Sequence, residues 1–244
     1  MRAKDKWSKY LLLKRSRHLT HYMPETRWMT RKAFWRMLSK YGQVILKPVN
    51  GSGGAGVIKV SSLGNHYYHI HSENRKVMVK GKDMMFHNLI SKMRSLAYMV
   101  QRYIPLAKIN NRPFDMRFIV QRKRDSNHWN ITAKAAKVAG KGYIVTNNTR
   151  SKGKMMHVRA ALKKSSLKGR SHRMILSNLN SVALMSAYRL MAAFPAHRIY
   201  GMDMGLDKNG RLWIIETNHF PAISHFRKLG NKAMIRRIRA YKYG

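Results

Sequence analysis

The chain has no cysteine, which excludes disulfide staples, thiolate catalysis and cysteine-based zinc sites, and leaves the redox compartment open. It has only nine Asp and Glu against fifty Lys and Arg, for a formal net charge of +41. Polyanions are attracted to such a chain by sequence-independent electrostatics, so its expected partners are acidic: nucleic acid, an acidic polypeptide, a nucleotide or an anionic layer. No stretch approaches the about eighteen consecutive apolar residues that read as a membrane span. The amino-terminal "WSKYLLLKRSRHL" carries too short an apolar run for a signal peptide, and a soluble, intracellular protein is expected. Twelve histidines are present, among them His66, His69 and His71, but none forms an HExxH-type ligand pattern, so no histidine metal site is assigned.

What is there suffices for a folded protein. In 244 residues, 44% are hydrophobic, with five Trp, twelve Tyr and eighteen Met, more apolar material than a solvated basic tail carries. "TRKAFWRMLSKYG" predicts a helix with Thr30 as N-cap, an apolar stripe at 33, 34, 37, 38 and 41, and Gly42 as its stop. The strands "QVILKPV" and "GVIKV" follow, joined in hairpin fashion by the glycine-rich run of "LKPVNGSGGAG". Such a bare backbone, next to Lys47, suits close approach of a phosphate chain. A Walker loop and a Rossmann fingerprint would both open a helix there, and both are disfavoured by the strand on each side. "MVQRYIPL" and "DMRFIVQ" read as further strands, and residues 172–194 as a long helix with a core-facing stripe through positions 175, 179, 182, 186 and 190.

The richest segment is "YGMDMGLDKNGRLWIIETN", two strands about the turn "DKNG". Glu216 and Asn218 are two apart, hence on one face of a strand, and a hairpin partner brings Asp203 alongside them. Three oxygen-bearing side chains suit Mg²⁺, a hard cation that keeps waters and borrows its remaining ligands from substrate phosphates. With nine acidic residues in the chain, two on facing arms of an apolar hairpin are hard to explain by solvation.

Five segments together resemble the ATP-grasp enzymes, and within them the YheC/YheD group of spore-coat-associated proteins from endospore-forming bacteria. They are "YMPETRWMT" (22–30), "VILKPVNGSGGAGVIKV" (44–60), "VQRYIPLAKINNRPFDMRFIVQ" (100–121), "IVTNNTR" (144–150) and "GMDMGLDKNGRLWIIETNHFPAISHF" (201–226). The resemblance implies an α+β, ATP-grasp fold: an N-terminal subdomain over 1–99 with the glycine-rich loop and a C-terminal subdomain over 100–244 with the metal site, gripping ATP between them, without the usual extra N-terminal domain. It implies that Lys47 contacts the ATP phosphates, that Ser52, Gly53, Gly54 and Gly56 form the lid, and that Gln101, Arg102, Tyr103 and Ile104 form the hinge beside the adenine. Lys6 or Lys9 matches the second ATP lysine. Arg117 and Asn147 match catalytic positions, and Asp203, Glu216 and Asn218 match the magnesium ligands. Lys134 and Lys137 stand where an arginine is typical, Lys137 being the catalytic candidate; lysine cannot reproduce a bidentate arginine contact. "NTRSKGK" also replaces the usual paired glycine after Asn147.

The implied cofactors are ATP and Mg²⁺. The implied activity is a carboxylate–amine ligase acting through an acyl phosphate on an acidic peptide or polymer. Such chemistry asks for positioning and charge neutralisation, not for a Cys, Ser or His nucleophile. The +41 charge supports a second reading, a non-catalytic polyanion-binding coat or scaffold protein. Non-specific nucleic-acid binding through the basic surface, a homo-oligomer, and residence in the cytoplasm or the spore coat complete the expectations.

Overall fold

The computed structural model describes residues 5–93, 96–144, 146, 153–167, 169–227 and 229–243. Its contacts divide the chain into two compact units, one of residues 24–104 with 139–152, the other of 1–23, 105–138 and 153–244. The units interleave, where consecutive stretches 1–99 and 100–244 were expected. The physical reason is that the first helix, α1 (Lys6–Lys14), buries Tyr10 and Leu13 in the core of the later unit. The Asp5 side chain caps it by accepting from the Ser8 N–H at 2.7 Å.

In the unit around 24–104, β1 (Thr26–Trp28) leads to α2 (Arg31–Tyr41). Thr30 caps α2 by accepting from the Ala33 N–H at 3.0 Å, and Gly42 ends it at φ 67°, a left-handed conformation that glycine adopts without penalty. There follow β2 (Gln43–Pro48), β3 (Ile58–Gly64), β4 (Tyr67–Ser72), β5 (Arg75–Lys80), α3 (Lys82–Met93) and β6 (Tyr98–Arg102). The antiparallel sheet runs β1-β6-β2-β3-β4-β5. Alternation sends Val44, Leu46, Ile58, Val60, Tyr98 and Val100 to the face covered by Phe34, Met37 and Leu38 of α2 and Met85 and Leu89 of α3. Each such side chain, fully buried, contributes about 1.5–3 kcal/mol. The same alternation turns Lys47 and Gln101 to the opposite face.

The other unit continues with β7 (Lys108–Ile109), β8 (Arg112–Gln121), β9 (Asn130–Val138), β10 (Lys154–Met156), α4 (Val158–Lys164), α5 (His172–Met191), β11 (Ile199–Leu206), β12 (Leu212–Asn218), α6 (Ser224–Arg227) and α7 (Lys232–Tyr243). Its antiparallel sheet has the order β10-β9-β8-β11-β12, with β7 paired to β8. Phe114, Met116, Phe118, Met202, Met204 and Ile214 pack against α1 and the α5 stripe of Leu179, Val182, Ala187 and Leu190. Ser186 sits within that stripe because its hydroxyl donates to the Val182 carbonyl at 2.7 Å. On the other face Ile119, Ala133 and Ala135 meet Phe226 and Ile238 of α6 and α7. The rest of that second face carries charge.

Candidate functional site

Charged and polar side chains gather in each unit on a sheet face turned away from its main core. In the first unit the Lys47 ammonium donates to Gln101 Oε1 at 2.7 Å. Gln101 Nε2 donates to Thr26 Oγ1 at 2.8 Å, and that hydroxyl donates to the Pro24 carbonyl at 2.9 Å. All three side chains are buried. The register explains the relay, since Gln101 faces Ile45 across β2–β6 and Thr26 across β1–β6, with Lys47 two residues along the same face. A lysine held this way keeps its position, which a phosphate contact needs.

The loop between β2 and β3 carries positive φ at Gly51, Gly53, Gly54 and Gly56, with Ser52, Gly53 and Gly56 exposed and Gly54 half-buried. At Gly56 a Cβ would lie 2.8 Å from the Tyr98 hydroxyl and 2.9 Å from Pro48 Cγ. The Tyr98 hydroxyl also donates to the Gly56 carbonyl at 3.0 Å, so the loop is pinned at its base.

The expected hinge residues have distinct surroundings. The Arg102 N–H donates to the Glu25 carbonyl at 2.8 Å, and its guanidinium lies over the Tyr41 ring. The Lys59 ammonium stands 3.7 Å from the Tyr103 ring centroid, and burial pushes the Tyr103 phenol up. Ile104 is buried and is the last residue before the chain passes to the other unit. Glu25 accepts from Lys40 at 2.7 Å, Tyr41 at 2.5 Å and Arg27 at 3.0 Å. Those bonds, Lys40's first, hold its carboxyl down to about 2.

In the second unit Asp203 faces Glu216 across the β11–β12 hairpin and Arg117 across β11–β8. Asn218, two residues past Glu216, shares their face. Arg117 grips both Asp203 oxygens, through Nε at 2.7 Å and through Nη2. The Lys137 ammonium donates to Asp203 Oδ1 at 3.0 Å and pairs with Asp115 at 3.1 Å, its register partner on β8. Burial alone would raise the Asp203 carboxyl, but the Arg117 charge and then the Lys137 charge outweigh it and hold it below the usual carboxylate range. Burial would likewise lower Arg117, and the Asp203 charge reverses this. In the orientation that satisfies its neighbours, the Asn218 amide accepts from Arg117 at 3.3 Å and donates to Glu216 at 3.2 Å.

Lys6 and Lys9 both reach β12. Lys6 lies 3.7 Å from Glu216 Oε1, whereas the buried Lys9 ammonium donates to the Thr217 carbonyl at 2.6 Å. Burial depresses Lys9, with Glu216 opposing. Asn147 lies outside the described residues. Sequence reasoning missed Asp115 and Thr26. Asp115 stands two residues before Arg117, the alternation that puts both on one face, and is one of only nine acidic residues; that signal was readable.

Among the described residues no group of three or more His, Cys, Asp or Glu is placed to hold a metal ion. The expected set of Asp203, Glu216 and Asn218 has two carboxylates and one amide, all hard oxygen donors. It fits Mg²⁺ when phosphates complete the shell. With Asp203 engaged by two cations, Glu216 and Asn218 are its less committed donors.

The YheC/D-like ATP-grasp family model matches residues 2–243. The chain belongs to this family. Similar curated proteins are the endospore coat-associated proteins YheC and YheD of Bacillus subtilis (strain 168), 25% identical over 222 residues and 22% over 230. The matches take in 89% and 91% of this chain but only 60% and 49% of those proteins, so the YheC/D-like chain spans about half of the relatives' length. Among solved structures it is similar to the ATP-grasp ligase PsnB complexed with a phosphomimetic variant of minimal precursor, Mg and ADP, with TM-score 0.54 and 13% identity, over 97% of this chain and 57% of that one. It is also similar to N5-carboxyaminoimidazole synthase from Aspergillus clavatus in complex with ADP and 5-aminoimidazole ribonucleotide, with TM-score 0.50 and 13% identity, over 91% and 45% of the two chains. These likenesses establish the ATP-grasp fold of the YheC/D-like chain. No described helix is long and apolar enough to cross a membrane.

Proposed function

We propose that this protein is a Mg-ATP-dependent carboxylate–amine ligase whose acceptor is an acidic peptide or polymer. The observation that supports it best is Asp203, buried in a basic sheet face between Arg117 and Glu216, with Lys137 and Asn218 on the same face. A merely solvated acid would need none of this. Lys47, fixed through Gln101, and the lid residues 52–56 would hold the ATP phosphates. Asp203, Glu216 and Asn218 would hold Mg²⁺, which neutralises charge on the β- and γ-phosphates when bound.

In the reaction, a carboxylate oxygen of the acceptor attacks the γ-phosphorus, the bond to the β-γ bridging oxygen breaks, and ADP leaves. The amine then attacks the acyl-phosphate carbon, inorganic phosphate departs, and the amine's proton passes to solvent. Arg117 and Lys137 would stabilise charge on the transferring group. Both are fixed by Asp203, so little reorganisation accompanies the step. Asn147 is carried as a third catalytic residue.

The scaffold reading keeps one supporting observation, the +41 charge, far more than one catalytic site needs. Like its relatives, the protein would then act at the spore coat, with the cytoplasm as the other compartment and self-association a further property. A nucleotide-release assay across acidic acceptors separates the two. ADP and phosphate appearing only when carboxylate and amine are both supplied supports the ligase, and polyanion binding with no ATP binding or turnover supports the scaffold.

A further inference from the structure

The sheet of the first unit ends at β5, and its outer edge is open. Arg75, Lys76, Val77, Met78 and Lys80 of this strand are exposed, Val77 keeping 44% and Met78 61% of its surface. Val79 alone in the strand is buried, in the core with Met85 and Leu89 of α3. Among the described residues no strand, and no backbone bond beyond those to β4, meets residues 75–80.

The register tells which main-chain groups this edge offers. β4 and β5 close about Glu73 and Asn74, with Ser72 opposite Arg75, Ile70 opposite Val77 and Tyr68 opposite Val79. In a hairpin with a two-residue turn the closing pair exchanges both its bonds, and every second pair after it does the same. Gly81, in the same phase, donates its N–H to the His66 carbonyl at 2.8 Å. Arg75, Val77 and Val79 therefore direct their N–H and C=O groups to β4, whereas those of Lys76, Met78 and Lys80 point out of the sheet. They form a row about 13 Å long at the usual rise of a strand.

The strand's charge is of one sign. No acidic side chain among the described residues pairs with Arg75, Lys76 or Lys80, and the Lys80 ammonium stands 5.3 Å from the Tyr67 ring centroid. Opposite Lys76 is His71, whose imidazole is lowered first by burial and then by the Lys76 charge. The acids nearest in sequence lie beyond the strand's ends, Glu73 in the turn and Asp83 in α3, the latter paired with Arg31. Lysines on an edge oppose self-pairing, since a second copy would set these cations against one another. An acidic segment meets no such barrier and relieves the repulsion.

We propose that the outer edge of β5 is a docking site for a short extended peptide segment that alternates acidic and apolar residues. The segment pairs with the main-chain groups of Lys76, Met78 and Lys80. Alternation then sets its carboxylates beside Lys76 and Lys80 on one face and its apolar side chains beside Val77 on the other. The segment's further role as ligase acceptor rests on the function proposed above. Its docking does not, and is measured without nucleotide.

Fluorescence anisotropy with a labelled peptide of alternating Glu and Val tests the site at physiological salt. Lys76→Glu should weaken binding by about tenfold, whereas Lys208→Glu, an equal charge change in the β11–β12 turn, should change it by less than about twofold. Met78→Pro removes an N–H that the sheet does not use, leaves every charge in place and should also weaken binding by about tenfold. Circular dichroism checks that the variants are folded. Amide exchange on the wild type needs no variant: the peptide should slow exchange of the Lys76, Met78 and Lys80 N–H groups. Equal losses in Lys76→Glu and Lys208→Glu, undiminished binding to Met78→Pro, or unchanged exchange at those three amides would overturn the proposal. So would a single-stranded oligonucleotide of matched charge that binds as tightly and is as sensitive to Lys76→Glu and Met78→Pro, since that assigns the edge to general polyanion binding.

Discussion

Asp203 holds together what Arg117 and Lys137 would otherwise push apart. Replacing it by Asn leaves two buried cations short of counter-charge, a change that costs about 3–5 kcal/mol when a buried pair is broken. Urea unfolding of Asp203→Asn should show a loss of that order. The pH dependence follows from the sign of the shift. The Asp203 carboxyl is lower in the folded state, so its contribution is complete above the unfolded value of about 3.9 and is lost as pH falls below it. The difference between wild type and Asp203→Asn should therefore be flat from neutrality to about pH 5 and shrink in more acid solution. Lys47 is the other decisive residue. Lys47→Ala removes a charge-assisted contact and should weaken ATP binding by roughly 1.5–3 kcal/mol, read by calorimetry; unchanged affinity would remove the phosphate assignment. Much at this scale was legible. The "DKNG" turn and strand alternation set Asp203 opposite Glu216 with Asn218 beside them, as the register shows. The Arg117–Asp203 pair and the Lys47–Gln101 bond were not legible, because each depends on which strands become neighbours, and β8 meets β11 only after a long excursion of the chain.

Helix and loop ends follow short-range rules, and here the sequence speaks most clearly. Thr30 and Gly42 bound α2 as capping chemistry requires. α3 follows Gly81, which has no side chain to cap with, whereas α7 is capped by Asn231, whose Oδ1 accepts from the Met234 N–H at 2.9 Å; both helices were missed, as was the packing of α1 with the later unit. Gly56 gives a test at this scale. Alanine there places a side chain at φ 70° and against Tyr98 and Pro48, and should destabilise by about 1–3 kcal/mol. Combining it with Tyr98→Phe should recover part of the loss, because one clashing atom is gone; a purely additive double variant would show that the Tyr98 contact is not the cause. Glu25 ties β1 to the end of α2, and its carboxyl is held down to about 2. Its contribution is complete above the unfolded value of about 4.3 and disappears as pH falls toward about 2. The stability difference between wild type and Glu25→Gln should vanish over that interval in thermal melts, and a difference unchanged down to pH 2 would contradict the bonding described.

At the scale of the molecule, a +41 chain presents two kinds of electrostatics. Contacts that spread over many phosphates or carboxylates release counterions and weaken steeply with salt. A nucleotide held by Lys47 and a metal is screened less. Retention on polyglutamate or nucleic acid should collapse over a few-fold rise in salt while Mg-ATP affinity changes modestly, and parallel losses would merge the two modes into one. The central claim is that Asp203, Glu216 and Asn218 take Mg²⁺ together with ATP. Calorimetric titration of ATP into wild type and Glu216→Gln, each with and without Mg²⁺, tests it directly. The account predicts that Mg²⁺ strengthens ATP binding to wild type and leaves a folded Glu216→Gln nearly unaffected; equal strengthening in both proteins, or no ATP binding to wild type, would contradict it.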